Sequence, residues 1–131
     1  MINASELRLG NYLLYKSGVR ILPVRISFEH LELLSKGQVN LFFPISLKPD
    51  VLQKCGFDEN KEYALLPEER QFILNLPVIG NNENKIIAFV HKEMYARAVV
   101  NDLVVTNHFY NLHQLQNVYY AITGKELDVI L

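Results

Sequence analysis

Only one stretch of this 131-residue chain, "NLHQLQNVYYAITG" at 111–124, repeats its apolar residues at helical spacing along its whole length. Leu112, Leu115, Val118 or Tyr119, and Ile122 recur on one side. Asn111 with Gln114 three residues on is a capping-box pattern, with Asn107 as a rival start, and Gly124 is placed to stop the helix. Elsewhere the apolar residues come in short runs at strand length. A sheet built from those runs has one main helix available to cover it. The predicted class is therefore α+β: mostly antiparallel β, with one main C-terminal helix and short helical turns.

The punctuation places the smaller elements. "NYLLYK" and "VRILPVRI" flank "SG" at 17–18 and read as a β-hairpin. Pro23 cannot donate to a sheet ladder, so the second strand should lie at an edge or be bulged. Gly10 marks a bend before the first strand. This hairpin could belong to a small SH3-like barrel at the N-terminus. Ser27 can cap a short helix over "SFEHLELLSKG", with Phe28, Leu31 and Leu34 on one face, and a strand with a turn is the competing reading. "VNLFFPISL" reads as a strand broken at Pro44. In "KPDVLQKCGF", Pro49 suits a first helical position, Val51, Leu52 and Cys55 share an inner face, and Gly56 ends the turn. "KEYALL", "RQFILNL", "NKIIAFVHK" and "ARAVVNDLVVTN" read as strands. "GNNEN" is a hairpin tip, and Asn101-Asp102 is a turn or bulge. "ELDVIL" reads as a short final strand. Residues 1–131 form a single domain by size, and no internal repeat is visible.

Composition narrows the function. Half the residues are hydrophobic, enough for an ordinary core. The formal net charge is −1, and the 13 Lys and Arg are scattered. A domain that grips nucleic acid through its phosphates should carry a dense basic stripe, so that class is disfavoured. Cys55 stands alone, which suits a reducing compartment. The start carries no charged-then-apolar leader and no run reaches the ~20 apolar residues of a membrane helix. The expectation is a cytoplasmic protein without a membrane role.

The usual chemical motifs are missing. The six glycines are dispersed, so no phosphate-cradling loop forms and no cofactor is implied. The candidates for a metal are His91, His108, His113 and Cys55, but His108 and His113 do not share a helical face, and no metal is expected. Cys55 lies on an apolar helix face, and His30 beside Glu29 or Glu32 has no nucleophile next to it. Glu68-Glu69 and Asp58-Glu59 read as solvated turn charges. No catalytic residue is assigned, and a small hydrolase-like enzyme stays a residual reading.

Two sets of residues are candidate binding sites. On the main helix His113, Gln116, Asn117 and Tyr120 line one stripe beside the leucine face. The stripe is either a recognition surface or a set of groups that satisfy neighbouring loops, and the second is favoured. In the first hairpin Tyr12, Tyr15, Lys16, Arg20 and Arg25 combine rings with cations, as a single-stranded nucleic-acid platform would. A packed sheet core explains the same rings more simply.

"ASELRLGNYLLY", "FPISLKPDVLQKCGF" and "LHQLQNVYYAITGKEL" resemble, in order and spacing, a family of small uncharacterised proteins of Bacteroides-type genomes and their phage-like or mobile elements. The family pattern runs "ELRIGNxV", "PIPLTEEWLLKFGF", "VHQLQNLYFALTGEEL". The three motifs span about a third of the chain. Lys48-Pro49 departs from the family's Thr cap followed by an acid. The resemblance implies no established activity. Its recurring pieces are capped turns and the long helix, as in a structural or protein-binding signature. The expected function is a non-enzymatic accessory or protein-interaction domain with an unknown protein partner. Nucleic-acid binding through the hairpin is the alternative.

Overall fold

The computed structural model describes residues 2–61, 70–77, 84–90, 94–100 and 103–131. The described residues form two antiparallel sheets and three α-helices. The α+β class is as the sequence implies. Strands β1 (Tyr12–Ser17), β2 (Arg20–Arg25) and β3 (Phe42–Phe43) make a small sheet of order β2-β1-β3. Strands β4 (Asp58–Glu59), β5 (Arg70–Asn75), β6 (Asn84–Val90), β7 (Met94–Val100) and β8 (Leu103–Val104) make the larger one in chain order. Helices α1 (Phe28–Ser35), α2 (Pro49–Lys54) and α3 (Leu112–Thr123) complete the fold.

The hairpin turns at Gly18, whose φ of 65° suits a residue without a side chain. Its ladder explains Pro23. Ile26 N–H donates to the Asn11 carbonyl at 2.7 Å, which makes that pair a hydrogen-bonded one. Counting by twos, Leu13↔Val24 and Tyr15↔Leu22 are also hydrogen-bonded, while Leu14↔Pro23 falls between. Pro23 therefore removes no bond from the ladder. It removes a donor from the outer edge, since β2 ends the sheet among the described residues.

Strand β1 has a core on each side. Leu13 joins Ile2, Ile26, Leu34 and Phe42 in a small cluster. Tyr12 and Leu14, on the other face, pack against the main cluster. That cluster is built from Leu47, Val51, Leu52, Phe57, Phe72, Ile86, Leu112 and Leu115, among others. Small side chains at Ala88, Ala96 and Ala98 on the inner sheet face leave room for α3.

Several expectations change in detail. Neither sheet closes among the described residues, so the SH3-like barrel is not formed. Strand β3 is only two residues long because a 3-10 turn at Val39–Leu41 precedes it and Pro44 follows, so it cannot carry the sheet further round. "ELDVIL" is not a strand. Leu127 reaches the core, but among the described residues the tail has one backbone bond to an earlier element, from Ile130 to the Lys54 carbonyl at the end of α2. Among the described residues no strand pairs with it. Helix α1 buries Leu34, whereas Phe28 at its first position is exposed. "KEYALL" beyond Lys61, "GNNEN" before Asn84, and Asn101-Asp102 lie outside the described residues.

Gly124 ends α3 at φ 71°, with its N–H on the Tyr120 carbonyl and nothing near the position of a Cβ. Gly124→Ala is then a test of backbone strain alone. It should lower unfolding stability in urea by roughly 1 kcal/mol, the penalty of a side chain in the left-handed region.

Candidate functional site

The site begins at the turn before β1. Gly10 takes φ 89° and sends its N–H to Ile26, while Asn11 folds back so that its Oδ1 accepts from Arg8 N at 2.8 Å. This turn exposes backbone groups that the strand ladder cannot satisfy. Helix α3 supplies the missing partners. Asn111 and Gln114 form the capping box that starts it.

Gln116 is fully buried. Its Oε1 accepts from Tyr12 N at 2.8 Å, and its Nε2 donates to the Gly10 carbonyl at 3.0 Å. Asn117, one residue on, donates from Nδ2 to the Glu6 carbonyl at 2.7 Å. Its Oδ1 accepts from Asn11 Nδ2 at 2.9 Å and from Arg8 Nε at 3.1 Å. Arg8 also pairs with Glu126 and lies 4.5 Å above the Tyr120 ring. His113 is 2% exposed, with Nε2 facing Glu6 Oε2 at 3.5 Å. Burial holds its pKa below the ordinary histidine value, with Glu6 acting weakly the other way.

The stripe His113, Gln116, Asn117, Tyr120 is thus one physical unit, and it faces the segment 6–12 of its own chain. Asn117 is partly exposed, and Tyr120 is the most exposed member. Sequence reasoning missed the other half: Glu6, Arg8 and buried Asn11. The signal was "RLGNY", where a glycine bend is followed at once by an asparagine.

The hairpin candidates do not form one surface. Tyr15 packs its ring against Phe42 at 5.0 Å and His30 at 5.5 Å, beside the small core. Tyr12 packs against the main core, with Arg25 over its ring at 5.7 Å. Lys16, Arg20 and Arg25 are exposed. So are Val19, Ile21 and Leu22.

The remaining chemical candidates have local roles. His30 Nδ1 accepts from Ser27 N at 3.1 Å and caps α1. His108 stacks on Tyr95 at 4.1 Å. Burial pushes the Cys55 thiol up to about 12, so thiolate is scarce at neutral pH. Glu59 is held by Arg70 through bonds of 3.0 and 2.8 Å, which lowers the pKa of its carboxyl. No group of three His, Cys, Asp or Glu converges among the described residues. His91 and Glu68-Glu69 lie outside them. Among the described residues no helix is long and apolar enough to cross a membrane.

Compared with family models, curated proteins and solved structures, the chain matches none.

Gln116→Ala orphans two polar groups, Tyr12 N–H and Gly10 C=O, and opens a cavity. Urea unfolding should show a loss of roughly 3 kcal/mol, against less than about 0.5 kcal/mol for Tyr120→Phe, which keeps its ring under Arg8. His113 gives a pH signature. Its folded pKa is lowered, so the unfolded chain binds more protons below the ordinary value of about 6.5. Stability should therefore fall as pH drops through that range. The difference in melting temperature between about pH 7.5 and about pH 5.5 should shrink in His113→Gln.

Proposed function

We propose that this domain is a non-enzymatic protein-interaction module, that its contact surface is the β1–β2 hairpin, and that its partner presents an acidic, partly apolar segment. One observation carries the reading. Strand β2 leaves Ile21 and Leu22, on opposite faces, each about half exposed at 52% and 53%. An edge strand that contributes so little to its own core is poorly explained by folding alone.

The charge around it supports an acidic partner. Arg8, Lys16, Arg20 and Arg25 all lie between Glu6 and Glu29, with no carboxylate among them in sequence. Lys16, Arg20 and Arg25 make no ion pair with any described residue. A second copy of the chain is disfavoured, because pairing β2 with β2 would bring these cations together and Pro23 withholds an edge donor. The exposed groups at the tip, Val19, Ile21 and Leu22, are aliphatic. Base stacking needs rings, and those of Tyr12 and Tyr15 are already packed. A protein partner is therefore preferred to nucleic acid. The resemblance to the Bacteroides-type family adds a place among accessory proteins of mobile elements and assigns no activity.

A peptide-display selection tests this directly. Binders should be enriched in Asp and Glu alternating with large apolar residues, and their NMR footprint should fall on residues 16–25. Arg20→Glu with Arg25→Glu should weaken them at least about tenfold, and added salt should weaken the wild-type complex. Selected binders that map elsewhere, or a mobility shift with an oligonucleotide that competes with none of them, would overturn it.

A further inference from the structure

On the reading that the β1–β2 hairpin is the contact surface, we propose that its partner binds by strand addition, as an extended acidic and apolar segment paired antiparallel with the free edge of β2. The exposed aliphatic groups lie on both faces of that edge. Leu22 and Val24 stand opposite Tyr15 and Leu13, on the face of the small core, while Ile21 stands opposite Lys16 on the other face. Leu22 and Ile21 are both exposed. A helix or a globular surface laid on one face covers one of them. A strand added at the edge sends its side chains to both faces and covers the two together.

The backbone of the edge suits such a pairing. Ile26 N–H donates to the Asn11 carbonyl, so Leu22, Val24 and Ile26 turn their backbone groups inward to β1. Ile21, Pro23 and Arg25 alternate with them and turn outward, where β2 has no neighbouring strand among the described residues. The carbonyls of all three, and the N–H groups of Ile21 and Arg25, bond to no described residue. Antiparallel pairing is the more stable per residue. Partner residues opposite Ile21 and Arg25 exchange both bonds with them. The residue opposite Pro23 donates to its carbonyl and receives no N–H in return.

The side chains of β2 then set the partner's sequence. Running from Arg25 back to Arg20, the 6 paired positions read acid, apolar, any, apolar, apolar, acid. The acids meet Arg25 and Arg20, one on each face, and neither cation has an ion pair among the described residues. The apolar positions meet Val24, Leu22 and Ile21, and the unrestricted one faces Pro23. A second copy of β2 in the same register would set Arg20 against Arg25 at both ends, which excludes this chain as its own partner there.

The probe is the peptide Ser-Glu-Val-Thr-Val-Ile-Glu-Ser, acetylated and amidated, titrated by NMR into the isotopically labelled full chain. Binding should saturate below about 2 mM. In the complex the amides of Ile21 and Arg25 should exchange with solvent at least about tenfold more slowly. The Thr and Ile nitrogens of the peptide face β2, and the two Val nitrogens face away. Methylating the Thr or the Ile nitrogen should therefore weaken binding at least about tenfold, and methylating either Val nitrogen about threefold or less. These peptides leave the wild-type fold untouched. Binding that maps to residues 16–25 but is weakened equally at all four nitrogens, or leaves exchange at Ile21 and Arg25 unchanged, overturns strand addition and leaves the contact surface standing. Failure to saturate by about 2 mM overturns the partner pattern. Display-selected binders that map away from the hairpin overturn the surface as well.

Discussion

The buried amide of Gln116 fastens the last helix to the first strand. It meets one donor and one acceptor, Tyr12 N–H and Gly10 C=O, at a turn whose backbone the β1–β2 ladder leaves unpaired. A buried amide that lost either partner would cost about 1–3 kcal/mol, so its position in α3 and the shape of the turn constrain one another. Asn117 and Asn11 extend the same accounting outward, and Arg8 closes it at the surface on Glu126. The polar residues between helix and sheet are therefore part of what holds residues 6–12 against α3.

That joint matters because β1 serves two cores. Leu13 looks into the small cluster under α1, while Tyr12 and Leu14 look toward the main cluster under α3. A strand with apolar residues on both faces has no register that would expose either side cheaply. The turn at Gly10 and Asn11 sets where β1 starts. A shift of one residue there would turn Leu13 out of the small core. The two open sheets thus need no barrel closure to stay in place.

Much of this was legible in the sequence. Gly18, Ser27, Pro49, Gly56, Asn111 with Gln114, and Gly124 act within a few residues of themselves, and each marks an element boundary. The stripe on α3 was legible as spacing. Its direction was not, because it depends on partners about a hundred residues earlier: Asn117 meets Asn11 at a separation of 106. "ELDVIL" failed for the opposite reason. Its alternation is strand-like, and Leu127 does reach the core, but a strand needs a neighbour and the local pattern does not report whether one is present. The barrel failed likewise, since closure depends on how far β3 runs beyond Pro44.

Counting partners sorts the surfaces in a way that hydropathy does not. The polar stripe, which looks like a recognition face, has nearly all its hydrogen bonds met by its own chain. The hairpin, which looks like ordinary strand, leaves Ile21 and Leu22 half in water. A large aliphatic side chain forgoes roughly 1–2 kcal/mol of burial in such a position. Pro23 follows those exposed side chains on the same edge strand, where an uninterrupted row of donors would invite aggregation. An edge that stays apolar yet is guarded against self-pairing is consistent with a surface kept for a different chain. The adjoining cations then favour a partner unlike this one, since a second copy would repeat the same charges.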